Sequence, residues 1–132
     1  MAPDETFEGV HCKLVLRRPC PGVVVLQLSG IDSGELGRAP FEALQRHLAT
    51  AAVDIFIDAR HARSASVEVS NDWASFFRAH RQRIRGVLML TTTRFLRMSA
   101  EMVRNYAMLD ERMEIFTHPA EFERRLGERV LA

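Results

Sequence analysis

The tetrad Thr91-Thr92-Thr93-Arg94 sets three hydroxyls and a guanidinium directly after an apolar run, residues 87–90. If that run is a strand and a helix follows, hydroxyls, guanidinium and the unpaired N–H groups of the helix start converge. Their chemistry is the binding of a carboxylate or phosphate. A second apolar run, residues 54–58, ends in Asp58 and is followed by Arg60 and Arg63. Open α/β sheets place their ligands beyond the carboxyl ends of the strands. Asp58, Arg60, Thr92, Thr93 and Arg94 are therefore the candidate anion- or ligand-binding set. Each has a plainer role as well: Asp58 as a cap for loop N–H groups, the threonines as the start of a helix. No glycine-rich phosphate loop accompanies them.

Catalytic chemistry finds less support. His11, His47, His61, His80 and His118 are scattered without metal-ligand spacing. No Gly-x-Ser-x-Gly elbow marks an activated serine. Cys12 and Cys20 are separated by seven residues, which fits neither a zinc pattern nor a redox Cys-x-x-Cys, so free thiols in a reducing cytosol are expected. The sequence thus predicts no catalytic residue, no metal and no cofactor. Residues 78–104 carry Arg78, Arg81, Arg83, Arg85, Arg94, Arg97 and Arg104 against Glu101 alone. Such a surface suits an acidic protein, nucleic acid or anionic lipid. Few aromatics interleave with the arginines for base stacking, and they read as solvated outer helix faces, so nucleic acid is not the expected partner.

These residues need elements to position them. The chain has 132 residues, 47% hydrophobic and 27% charged, with a formal net charge of +1. That describes one ordinary globular domain with no global pull toward polyanions. No apolar run approaches the roughly 18 residues of a membrane span, and residues 1–8 lack an export core. A cytoplasmic protein, not an integral membrane one, is expected. Residues 1–10 read as a loose lead-in and 11–132 as the domain. Residues 12–16 and 23–28 form an antiparallel hairpin around the proline- and glycine-rich turn between them. Further strands are expected at 54–58, 87–90 and 113–116, with helices between and after them, giving the order β-β-α-β-α-β-α-β-α. The fold class is α/β: a single mixed sheet of about five strands, an N-terminal antiparallel hairpin, then parallel strands with helical crossovers. Residues 59–69 read as a loop. Ser70-Asn71-Asp72 offers helix caps, and Trp73, Phe76, Phe77 and His80 share the apolar side of the helix that follows. Phe95, Met98, Met102, Tyr106 and Leu109 read as the inward face of the next helix. The set Trp73, Phe76, Phe77, Phe95, Met98, Met102 and Met108 suits core packing first, and otherwise a lipid pocket or homodimer surface.

The strand order, the segments VVVLQLSG (23–30) and DIFIDAR (54–60), and the Trp73-bearing helix together resemble the STAS domain. That family includes anti-sigma factor antagonists and the cytoplasmic tails of sulphate transporters. The likeness is nearer to the stand-alone bacterial branch grouped with CRAL-TRIO-type lipid-binding domains. It implies a non-catalytic protein-interaction or regulatory module in the bacterial cytoplasm. A regulatory partner would dock around Ser64, Ser66, Ser70 and Trp73. In anti-sigma factor antagonists an Asp-Ser-Ser-Gly motif carries the phosphorylated serine, and here residues 63–72 lack it. Ser70 is the nearest positional match for a phosphoacceptor and Ser66 the next, each with helix capping as its plainer role. The alternative function is a carrier or sensor for a small ligand, either a lipid or an anionic metabolite.

Overall fold

Pro21-Gly22 turns β2 (Cys12–Cys20) back onto β3 (Val23–Asp32), with Gly22 at φ 84°, where a side chain would be strained. In the computed structural model, which describes residues 3–131, this hairpin leads into α1 (Ala39–Leu48), β4 (Val53–Ala65), α2 (Val67–Ala79) and β5 (Ile84–Leu90). There follow α3 (Arg94–Tyr106), β6 (Met113–Phe116) and α4 (Pro119–Leu131). A short strand, β1 (Glu5–Glu8), precedes them all. The six strands form one sheet in the order β1-β2-β3-β4-β5-β6, antiparallel from β1 to β3 and parallel from β3 to β6.

Strand alternation decides what each helix covers. Leu14, Leu26, Ile55, Ile57 and Val87 face α1, α2 and α3 in the larger core. Val23, Val25, Phe56, Leu88 and Leu90 face the opposite way and are covered by Phe122 of α4. Both sides of the central strands are therefore dry, which is why these strands read as continuous apolar runs.

Three expectations need correction. The sheet has six strands, not five, because part of the lead-in pairs with β2, from Glu5 opposite Leu16 to Glu8 opposite Lys13. Phe7 packs on the core, and Glu5 accepts hydrogen bonds from Arg46 and His47 of α1, each at 3.0 Å. Those bonds, His47 foremost, hold the Glu5 carboxyl below its ordinary range. Residues 1 and 2 of the lead-in, and residue 132, lie outside the described residues. The expected loop at 59–69 is mostly strand: β4 continues to Ala65 beside an extended β3, pairing Ser29 with His61 and Asp32 with Ala65. Finally, α2 starts earlier than expected. Ser66 is its cap, accepting a bond from the Val69 N–H at 3.1 Å, and Ser70 lies inside the first turn.

Candidate functional site

Most of the strand-end set comes together. Asp58 and Arg60 stand two residues apart on β4 and so on one face of the sheet. Asp58 accepts bonds from the Arg60 backbone N–H at 3.1 Å and from Arg60 Nε at 3.0 and 3.1 Å. The same guanidinium reaches Glu123 of α4 at 2.8 Å. These two carboxylates, Asp58 first, push the Arg60 pKa upward, so the arginine stays charged. Thr92 donates to the Arg60 carbonyl at 3.2 Å, and Thr93 caps α3 by accepting from the Leu96 N–H at 3.1 Å. Four of the five candidate residues are thus close together, but their polar groups bond to the protein itself. Arg94 is exposed and enters no ion pair among the described residues. Thr91, just before them, is buried with its hydroxyl unpartnered.

Ser64, Ser70 and Trp73 come together elsewhere. They line a cavity of about 80 Å³ between the sheet and helices α2 and α3. Trp73 is half-buried and packs its ring 4.5 Å from Phe41 and 5.6 Å from Phe77. Ser66 spends its side chain on the helix cap. His80 stacks on Phe76 at 4.2 Å and its Nδ1–H donates to the Phe76 carbonyl at 2.9 Å, so it is a satisfied structural histidine.

The feature missed in the sequence is the outer face of α3. The residues turned inward are Leu96, Ala100 and Val103. Phe95, Met98, Met102 and Tyr106, read above as the core stripe, are 52%, 56%, 58% and 54% exposed. Both rows have helical spacing. The smaller one fits beneath because α3 packs closely on the sheet and on α2, with Ala74 buried in the same core. Met108 is also exposed, beyond the end of α3 and at φ 58°. The Arg78 guanidinium of α2 lies 5.2 Å over the Tyr106 ring, so the apolar row borders α2. Arg78, Arg81, Arg94, Arg97 and Arg104 enter no ion pair among the described residues, whereas Arg17, Arg46, Arg60, Arg85, Arg124, Arg125 and Arg129 do.

Burial, with Asp32 and Glu35 adding to it, pushes the Cys12 thiol up to about 12. Among the described residues no three His, Cys, Asp or Glu side chains are grouped to hold a metal ion. No helix among them is long and apolar enough to cross a membrane.

No protein-family model matches this sequence, and no curated protein does. Solved structures do. One is an uncharacterised protein of the DUF3478 family with a SpoIIAA-like fold from Shewanella loihica PV-4. It aligns over 96% of this chain and 98% of its own, with a TM-score of 0.64 and 12% identity. Another is an anti-sigma factor antagonist from Mycobacterium paratuberculosis, aligned over 86% of this chain and 92% of its own, with a TM-score of 0.58 and 14% identity. The chain therefore has the SpoIIAA-like, STAS-type fold.

Proposed function

We propose that this chain is a non-catalytic regulatory module of the bacterial cytoplasm that works by docking another protein on the outer face of α3 and the adjoining side of α2. The observation that carries this reading is the row Phe95, Met98, Met102 and Tyr106, all more than half exposed along one helix. Contiguous apolar surface of this kind marks interaction sites, and methionine adapts its shape to a partner. The unpaired arginines around it favour an acidic partner through charge complementarity. The fold is one that an anti-sigma factor antagonist uses, and the two structural neighbours named above come from bacteria. Ser66, the cap of α2, is where a phosphate would meet helix N–H groups, and Ser70, the other candidate phosphoacceptor, lies inside the first turn.

The test is to place a photo-crosslinking residue at Met98, identify the captured protein, and measure its binding to purified wild type and to the Met98→Asp/Met102→Asp variant. A loss of affinity of tenfold or more in a folded variant supports the reading. Equal affinity, or a wild type that stays monodisperse and captures nothing from native lysate, overturns it.

A second reading, a carrier or sensor for a small ligand, is favoured by the apolar cavity beneath α2 and α3. The strand-end set gives it less support, because Arg60 is already engaged by Asp58 and Glu123.

A further inference from the structure

We infer that the docking face receives an amphipathic helix with an acidic polar side, laid lengthwise along α3. The inference rests on the docking reading and names the element that the partner presents there. Helix geometry gives the face its form. At about 100° per residue, Phe95, Met98, Met102 and Tyr106 share an arc of about 80° on α3. The buried row Leu96, Ala100 and Val103 lies about 120° round from the middle of that arc. The exposed row is therefore tipped to one side of α3, and the contact between Arg78 and Tyr106 puts α2 on that side. From Phe95 to Tyr106 the row is about 17 Å long, or three turns.

The backbone selects a helix as the occupant. Between its ends a helix has no free N–H or C=O, so this face offers a docked segment no backbone hydrogen bonds. A segment lying on it has to satisfy its own backbone, which a helix does and an extended strand does not. Apolar residues three and four apart on such a helix match the spacing of the row it would cover.

Charge selects its sign. Arg78, with Arg81 just beyond the end of α2, stands at the Tyr106 end of the row. Arg94 lies about 40° from Met98 around α3. Arg97 and Arg104 lie about 100° and 120° from Met98, on stems long enough to lean toward a partner. These five arginines enter no ion pair among the described residues, and Glu101 is the one acidic residue of α3. A second copy fits less well, because an isologous contact sets this basic patch against itself. An anionic membrane would also meet Glu68 and Asp72, exposed on α2 on the same side of the sheet. A helix of about the row's length can engage the arginines and leave those two carboxylates in water.

The test titrates full-length protein into three labelled, hydrocarbon-stapled peptides of about 15 residues, a length that holds a helix, and follows fluorescence anisotropy. One peptide carries Leu three and four apart with Glu and Ala elsewhere. The second has Lys in place of Glu, and the third has the composition of the first in scrambled order. The expected result is saturable one-to-one binding of the Glu peptide, at least tenfold tighter than either of the others. At least a tenfold loss is expected in Met98→Asp/Met102→Asp and in Arg94→Glu/Arg97→Glu, with Arg78→Glu in reserve if the arginine pair fails to fold. Equal binding of the scrambled peptide overturns the helix, and equal or tighter binding of the Lys peptide overturns the acidic side. In either case a loss in Met98→Asp/Met102→Asp leaves the docking reading standing. A dimer in sedimentation that this variant abolishes, or tighter binding to phosphatidylglycerol vesicles than to the Glu peptide, gives the face to another occupant and overturns both. If no peptide binds, the inference falls, and crosslinking from Met98 decides the docking reading separately.

Discussion

Arg60 grips Asp58 through Nε at 3.0 and 3.1 Å from the two carboxylate oxygens, two residues along the same strand. The Asp58 side chain is only 13% exposed. Removing the guanidinium therefore leaves a mostly buried carboxylate with little besides a backbone N–H. Arg60→Ala should cost about 1–3 kcal/mol of unfolding free energy. Arg94→Ala, at an exposed side chain that enters no ion pair among the described residues, should stay within about 0.5 kcal/mol. Urea denaturation of both variants checks this. Equal losses would contradict the division of these arginines into one structural and one free.

Gly30 sits in β3 at φ 82°, and a Cβ there would lie 2.1 Å from the His11 carbonyl oxygen. The atoms it would meet are all backbone of His11 and Cys12, so nothing flexible is there to yield. Gly30→Ala should destabilise by more than about 2 kcal/mol, from the strained conformation and the clash together. Gly127 in α4 is the control: a Cβ there meets nothing within 4 Å. Gly127→Ala should stabilise by about 0.5–1 kcal/mol through helix propensity. Thermal melts of the pair test both signs at once.

The strands buried on both sides were legible, because their apolar runs follow from burial itself. The strands at 54–58 and 87–90 fall inside β4 and β5, and Phe122 packs inward as the spacing predicts. The second half of β4 was not legible. Its inward residues are Ala59 and Ala62, whose small side chains carry almost no strand signal, while pairing with β3 holds the backbone extended. In α3 two rows competed, and size misled: the larger side chains face out because the space beneath admits only the smaller row. Four of the strand-end residues lie close together, but sequence could not reveal that Glu123, far along the chain, reaches the same Arg60 guanidinium.

The two cysteines should behave differently. Both are free, Cys12 buried and Cys20 partly exposed. Thiolate is the reacting form, and burial lifts the Cys12 thiol from an ordinary 9.0 to about 12. Labelling of folded protein at pH 8 should modify Cys20 quickly and Cys12 only through unfolding; denatured, unreduced protein should yield both thiols. The sign of the linkage follows. Above pH 9 the unfolded thiol ionises while the folded one stays protonated, so stability falls as pH rises toward 12. Cys12→Ala should flatten that part of the profile. Equal labelling rates in the folded protein would show that Cys12 is accessible.

The two faces of α3 offer the sharpest contrast, because they differ within one helix. Leu96 is 4% exposed and packs with Ala59 and Ala62 beneath the helix. Leu96→Ala should cost about 2–5 kcal/mol, the transfer term plus whatever cavity remains. Met98, two residues on, is 56% exposed. Met98→Glu should change stability by no more than about 0.5 kcal/mol, since little apolar area returns to water. It should also reduce binding of a hydrophobic dye, because the variant interrupts the exposed row between Phe95 and Met102. Denaturation curves and dye fluorescence on the two single variants separate the roles. If Met98→Glu unfolds the protein while Leu96→Ala is tolerated, α3 is turned the other way. The docking face would then lose its apolar row.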